Sequence, residues 1–257
     1  MTRTVKLGNL KIGSKHPVRI KGMLKSPYSD IGALVKEAKL LEKEGAEALR
    51  MAIKEERDTR LVAILKKEIK IPLVADIHFY YRFALSAIDN GFDGIRLNPL
   101  NIYNKREVAF VARAAKEREI PIRVGINSGG FKKSFSGPDK LAKEMVSCVR
   151  SYLKILEKEN FFDIMVSLKG SDAQSTMIAN ELFAKEFDYP LHLGITATGS
   201  FLNGIVKSSI GLGSLLSMGI GNIIRVSLTA PSYWEIRIAK YILAALSLRR
   251  SGPEIIS

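Results

Sequence analysis

Short apolar, β-branched runs alternate along this chain with longer stretches in which apolar residues recur every three or four positions. The runs fall at 18–23, 48–53, 72–78, 94–97, 121–127, 162–168, 190–196 and 222–228. Between and after them the helical period predicts helices at 31–44, 57–69, 81–90, 105–118, 139–159, 171–187, 203–217 and 233–248. In the first helix Ile31, Leu34, Val35, Ala38 and Leu41 share one face. Gly45, Gly91 and Gly219 follow helices as C-terminal caps do, and Pro72, Pro121 and Pro190 open strands, where a missing N–H costs least. Asp30 and Ser232 stand where they can cap the first and last helices. The runs are apolar on both faces, as parallel strands under helices must be. Eight successive βα units predict a (β/α)8 TIM barrel rather than an open sheet. A β-hairpin around Gly8-Asn9, at 4–12, is expected to close the bottom of that barrel. With no linker and no low-complexity stretch, residues 1–257 read as a single barrel domain.

Composition narrows the setting. Hydrophobic residues make up 46% and charged residues 26% of 257, which excludes a disordered or fibrous chain. The longest uncharged stretch, between Lys207 and Arg225, is rich in Gly and Ser and is too short and polar to span a bilayer. No apolar signal segment opens the chain, and one cysteine, Cys148, permits neither an internal disulfide nor a cluster held by this chain alone. A reducing, cytoplasmic setting is expected. Cys148 lies in a helical stretch and reads as a small packed residue. The net charge of +14 points to an anionic partner. Nucleic acid is disfavoured, because no basic run interleaves with aromatic residues.

In a barrel of this class the chemistry sits at the carboxyl ends of the strands. Those ends carry Lys21, Arg50, Arg96, Arg123, Lys169 and Arg225, six cations, against one clear anion, Asp76. Cations gathered partly out of water are costly unless paired, and core packing does not call for arginine. Guanidinium forks suit phosphate oxygens, so a phosphate or diphosphate is expected in the mouth. For any single arginine, pairing with a neighbouring carboxylate remains the competing reading. His78, at the end of the same strand as Asp76, is a ligand contact or a hydrogen-bonded structural histidine. His192 lies earlier in its strand and reads as structural. Asn98 and Asn127 are site residues or turn residues. The basic segment at 128–138 is a lid or a solvated loop. Gly211 and Gly213 do not make a dinucleotide fingerprint, since they follow no strand.

At these strand ends the chain resembles the barrel domain of the hydroxymethylbutenyl diphosphate synthase (IspG or GcpE) family. The residues that carry the resemblance are Pro72-Leu-Val-Ala-Asp-Ile-His78, Arg96-Leu-Asn-Pro99 with Asn101-Ile102, Arg123-Val-Gly-Ile-Asn-Ser-Gly129 and Ser167-Leu-Lys169. Pro190-Leu-His-Leu-Gly-Ile-Thr196, Val206-Lys-Ser-Ser-Ile-Gly-Leu-Gly213 and Gly219-Ile-Gly-Asn-Ile-Ile-Arg-Val-Ser-Leu-Thr229 continue it, so it covers nearly the whole chain. The resemblance implies reductive opening of an anionic cyclic diphosphate, methylerythritol cyclodiphosphate. A [4Fe–4S] cluster delivers the electrons, drawn from ferredoxin or flavodoxin. It further implies that Arg50, His78, Arg96, Arg123, Asn127, Lys169, Arg225 and Ser227 bind the substrate, beside Asp76 and Asn98 from the strand-end reading.

Two departures from the family pattern qualify those expectations. The stretch Gly252-Pro-Glu-Ile-Ile-Ser257 leads, in the family, into a Cys-x-x-Cys motif that opens the cluster domain. That domain, which in the family's homodimer caps the partner's barrel, is expected to be absent from this chain, so the cluster would come from an iron–sulfur domain or partner subunit. Inside the barrel, Lys21-Gly-Met-Leu24 replaces Gln-Ser-Met-Thr, Leu100 replaces a glycine, and Ala197 stands at the family's glutamate. Alanine cannot transfer a proton, so no catalytic residue is assigned. Three readings follow: the substrate-binding part of the synthase, a divergent relative that binds a phosphorylated ligand without redox chemistry, or a phosphate-ester enzyme using Asp76 and His78 as acid and base.

Overall fold

A computed structural model describes residues 1–196 and 198–249. The hairpin pairs β1 (Val5–Leu7) with β2 (Leu10–Ile12) across a turn in which Gly8 has φ +56°. Eight parallel strands follow: β3 (Arg19–Met23), β4 (Ala48–Ile53), β5 (Leu73–Ile77), β6 (Gly94–Leu97), β7 (Ile122–Asn127), β8 (Ile164–Lys169), β9 (His192–Leu193) and β10 (Ile223–Ile224). Their order is β8-β7-β6-β5-β4-β3-β10-β9, and a parallel bridge between Val166 and Leu191 joins the two ends. The sheet is therefore a TIM barrel, as the alternation predicts.

Helices α1 (Ile31–Glu44), α2 (Leu61–Glu68), α3 (Tyr81–Asp89) and α4 (Lys105–Glu117) cover the first half of its outer face. The second half carries α5 (Pro138–Lys158), α6 (Ala173–Glu186), α7 (Phe201–Ser217) and α8 (Ser232–Ala245). Strand residues of one parity, among them Leu49, Met51, Ile95, Val124 and Val166, pack outward beneath these helices in one apolar cluster. Residues of the other parity fill the barrel. At its base Val5, Leu7 and Ile12 of the hairpin meet Ala48, Val74, Met165 and Ile223, so the hairpin is the floor. Gly94 makes room for it: a Cβ there would lie 2.6 Å from a Leu7 methyl. An apolar floor leaves the polar inward residues stacked towards the opposite end.

Several boundaries differ from the periodic pattern, each for a local reason. The helix expected at 57–69 splits into a 3-10 turn, Glu56–Arg60, and α2, because the Asp58 carboxylate accepts from the Lys54 and Glu55 N–H groups and tightens the entry. Asp30 caps α1 through the Ala33 N–H at 2.8 Å, as expected. Ser232 does not cap α8. It lies inside the first turn and donates to Glu37 instead. The ladder of β10 ends at Ile224 although the apolar run continues to 228. Beyond it, side chains satisfy the backbone: the Leu228 N–H donates to Glu235, the Ser227 carbonyl accepts from Thr198, and the Leu228 and Ala230 carbonyls accept from Lys25. In β9 the strand stops at Gly194, where a Cβ would lie 2.6 Å from Lys169 Nζ and 2.7 Å from the Arg225 carbonyl. Both departures sit beside the charged interior, which is where regular strand geometry is given up.

Candidate functional site

Strand alternation fixes which side chains enter the barrel. Parity turns Lys21, Arg50, Asp76, Arg96, Arg123, Ser167, Lys169 and His192 inward from seven strands, and Arg225 follows directly after the eighth, above the apolar floor. Lys21, Arg96 and Arg123 are at most 2% exposed, and Lys169 is 6% exposed. Glycine at 125 creates part of the space, because a Cβ there would come within 2.8 Å of both Arg96 Nε and Ser167 Oγ.

The charges do not balance. Asp76 is shared: Arg96 Nη1 donates to it at 3.1 Å, Arg50 Nε lies 3.4 Å away and His78 Nε2 3.5 Å away. Burial alone would raise this carboxyl, but Arg50 and Arg96 outweigh it and hold Asp76 well below the ordinary carboxylate range. Arg96 also donates to the Gly125 carbonyl at 2.8 Å. On the other side Arg225 Nη2 reaches Glu235 at 3.2 Å. Glu235, from α8, is 1% exposed and also holds Lys25 at 2.7 Å and the Leu228 N–H at 2.9 Å. That carboxylate is a correction to the charge count made from strand ends, in which Asp76 stood alone. It sits a turn into a helix, where a glutamate ordinarily signals only the helix dipole.

Even with both carboxylates counted, six cations face two anions. Among the described residues, Lys21, Arg123 and Lys169 have no carboxylate within 4.0 Å. Arg123 donates through Nη1 to Ser167 Oγ at 2.8 Å, while its Nε and Nη2 are buried with no partner. Arg96 Nε and Arg225 Nε are likewise buried and unpartnered. Lys169 Nζ lies 3.5 Å from His192 Nε2, and His192 Nδ1 has no partner. Burial, then the surrounding guanidinium groups, push Lys21 and Lys169 well below the usual lysine value. Burial and Lys169 likewise keep His192 neutral. Unpartnered buried donors on permanently charged groups are expensive, and an anion is the kind of group that could satisfy them.

The remaining expected residues form the rim. His78 is 43% exposed at the side chain and lies between Asp76 and solvent. Asn98 is buried, and its side chain accepts from the Leu100 N–H at 3.1 Å, the turn role that its sequence context allowed. Asn127 ends β7 half-buried, and Ser227 is half-buried in the segment that Glu235 and Thr198 hold. Ala197, the position of the family glutamate, lies outside the described residues, as does 250–257. The strand-end reading does not make Ser167, which lies beside Arg123, a binding residue, takes His192, which lies beside Lys169, as structural, and passes over Glu235. Ser167 carries a signal, since it shares the inward parity of Lys169 on β8.

Gly194 offers a local test. Gly194→Ala is expected to cost about 1–3 kcal/mol of stability, since its Cβ must displace Lys169 or the β10 backbone. Urea unfolding of the two chains checks it, an unchanged midpoint counting against this packing.

Comparison with known proteins adds identity to geometry. The family model described as the GcpE TIM-barrel domain matches residues 2–240. The 4-hydroxy-3-methylbut-2-en-1-yl diphosphate synthase (flavodoxin) of Caldanaerobacter subterraneus subsp. tengcongensis is 44% identical over 263 residues, covering 100% of this chain and 73% of that protein. The protein of the same name from Bacillus mycoides is 45% identical over 260 residues, covering 100% and 71%. Among solved structures, the dihydropteroate synthase of Yersinia pestis superposes with a TM-score of 0.72 at 13% identity, covering 96% of this chain and 100% of that one. The type I 3-dehydroquinate dehydratase of Clostridium difficile gives 0.70 at 14%, covering 95% and 98%. At such identities these two bear on the fold alone.

Proposed function

The chain belongs to the GcpE TIM-barrel family, and from that premise we propose that its barrel binds the diphosphate of the cyclic substrate opened by 4-hydroxy-3-methylbut-2-en-1-yl diphosphate synthases. The observation that carries this reading is the trio Lys21, Arg123 and Lys169, buried without a carboxylate partner among the described residues. A diphosphate entering the mouth supplies the missing charge and accepts from the unpartnered nitrogens of Arg96, Arg123 and Arg225. His78, Asn127 and Ser227 are the rim groups suited to the organic part of the ligand.

The chain's own residues do not fit an iron–sulfur cluster. Its one cysteine, Cys148, is half-buried in α5 with its thiol pushed up by burial. Among the described residues no three His, Cys, Asp or Glu side chains converge on a metal. We assign the cluster, and the flavodoxin that the relatives' names mention as electron donor, to protein outside the single barrel domain of these 257 residues. The barrel's part is to hold the diphosphate and screen its charge. A cytoplasmic setting agrees with this role, and no helix among the described residues is long and apolar enough to cross a membrane. The phosphate-ester reading fares worse, since an Asp76 shared by two guanidinium groups is a poor base. A divergent relative binding a phosphorylated ligand without redox chemistry would use the same mouth.

Proton linkage tests the reading. A bound anion raises Lys21 and Lys169 from their depressed values, so protons are taken up on binding. Affinity therefore strengthens as pH falls between the bound and free lysine values. Calorimetry with inorganic diphosphate in two buffers of different ionisation enthalpy measures the uptake, and comparison with Lys169→Gln cancels the ligand's own ionisation. We expect the wild-type chain to take up as much as about one proton more. Equal uptake in both, or no heat of binding in either, sinks the proposal.

A further inference from the structure

Lys21 is the member of the buried trio with the fewest partners. It lies on β3 opposite Ala48, part of the apolar floor. The residue is 1% exposed, and its charged neighbours are Arg123, Arg50, Asp76 and Arg225, three cations to one anion. Asp76 is already committed to Arg96 at 3.1 Å and Arg50 at 3.4 Å. Lys169, the other buried lysine, at least faces an imidazole nitrogen, whereas no hydrogen bond from the Lys21 side chain is found among the described residues.

Charge arithmetic then separates two classes of ligand. Lys25, though 2.7 Å from Glu235, is 34% exposed at its side chain and screened by water, so it stays outside the count. With both buried lysines neutral, the four arginines against Asp76 and Glu235 leave two positive charges, and protonating both lysines leaves four. In a cyclic diphosphate each phosphorus carries one ionisable oxygen, so the ligand brings two negative charges. A linear diphosphate monoester ends in a phosphoryl group with two ionisable oxygens and brings up to three near neutral pH. A cyclic ligand is neutralised by the arginines, and a linear one calls for a protonated lysine.

We propose that Lys21 biases this barrel towards a linear diphosphate monoester over a cyclic one. The inference rests on the diphosphate reading above and narrows the ligand class of that same site. The relatives are named for making a linear diphosphate, so Lys21 would hold the product class of that reaction more firmly than its cyclic substrate class.

The test is calorimetry of the full chain with two probes, methyl diphosphate and methylerythritol cyclodiphosphate, on wild type, Lys21→Gln, Lys21→Met and Arg123→Ala. The wild type is expected to prefer the linear probe at least tenfold. Both Lys21 variants are expected to reduce that preference about tenfold, mainly by weakening the linear probe, because each removes a charge–phosphate contact. Melting curves check that the variants fold. A preference unchanged in both Lys21 variants, with Arg123→Ala still weakening both probes, overturns the Lys21 assignment and leaves the barrel site standing. If Arg123→Ala also binds both probes as well as wild type, or the wild type binds neither, the barrel site itself falls.

Discussion

Replacing Arg123 by methionine is expected to yield a chain that melts higher than the wild type yet binds inorganic diphosphate at least about a hundredfold more weakly, two charge-assisted contacts being lost at about 1.5–3 kcal/mol each. The two effects share one cause. Arg123 is 2% exposed, its neighbours Arg50 and Arg96 are also cationic, and two of its three guanidinium nitrogens have no partner. Without ligand, the folded chain bears the desolvation of that charge and its repulsion from the others. Methionine fills similar space without the charge, and buried ionic groups replaced by apolar ones of like volume often gain about 1–4 kcal/mol. With ligand, the same unpartnered nitrogens are the best-aimed donors in the barrel, so their loss is felt in full. Thermal melting and calorimetry on one preparation read both halves. A variant that melts lower and still binds would mean that Arg123 is a packing residue and that the anion lies elsewhere.

The lysines extend the same logic to pH. Lys21 and Lys169 have folded-state values below those of the unfolded chain, so the unfolded state binds more protons between the two. Their contribution to stability therefore improves as pH rises towards the unfolded lysine value, about 10.4, and is least favourable below the folded value. A bound anion reverses this by restoring the charge. On the proposed reading, the apo barrel is strained by the groups that would recognise its ligand, a familiar exchange of stability for function.

This strain explains which parts of the molecule were legible from sequence. The outward parity of the strands and the apolar faces of the helices obey simple periods, so the barrel follows from the hydrophobic pattern, and the hairpin floor from the Gly8-Asn9 turn signal before it. Arg50, Arg96, Arg123 and Lys169 were readable as candidate site residues because a cation inside an apolar strand has no packing reason to be there. Near the site the patterns weaken. The ladder of β10 stops at Ile224 because side chains, not a neighbouring strand, satisfy the backbone beyond it, and no period encodes Thr198 reaching Ser227 or Lys25 reaching Leu228. Ser232 resembles a helix cap, but the nearby Glu37 carboxylate takes its hydroxyl. Glu235 was illegible for a similar reason. Its role depends on α8 packing beside β3, a tertiary fact.

Glu235 accordingly carries the largest stability effect that we expect. Its carboxylate lies 2.7 Å from Lys25, 3.2 Å from Arg225 and 2.9 Å from the Leu228 nitrogen, at 1% exposure. Glu235→Ala removes one anion and leaves two cations and a backbone N–H without it. Removing one partner of a buried pair typically costs about 3–5 kcal/mol, because the surviving charge is stranded rather than re-solvated. Lys25 is 34% exposed at the side chain and can turn to water, so Arg225 bears most of the loss. The segment that carries Ser227 should loosen as well, since Glu235 fixes Leu228 directly and, through Lys25, its carbonyl. Denaturant unfolding gives the size of the effect, and hydrogen exchange at Val226 and Leu228 gives its location. The double variant Glu235→Ala with Arg225→Met separates stranded charge from lost packing. If stranding dominates, the second substitution recovers most of the stability. If the double variant is no more stable than Glu235→Ala alone, Arg225 was never held against its own charge by this carboxylate.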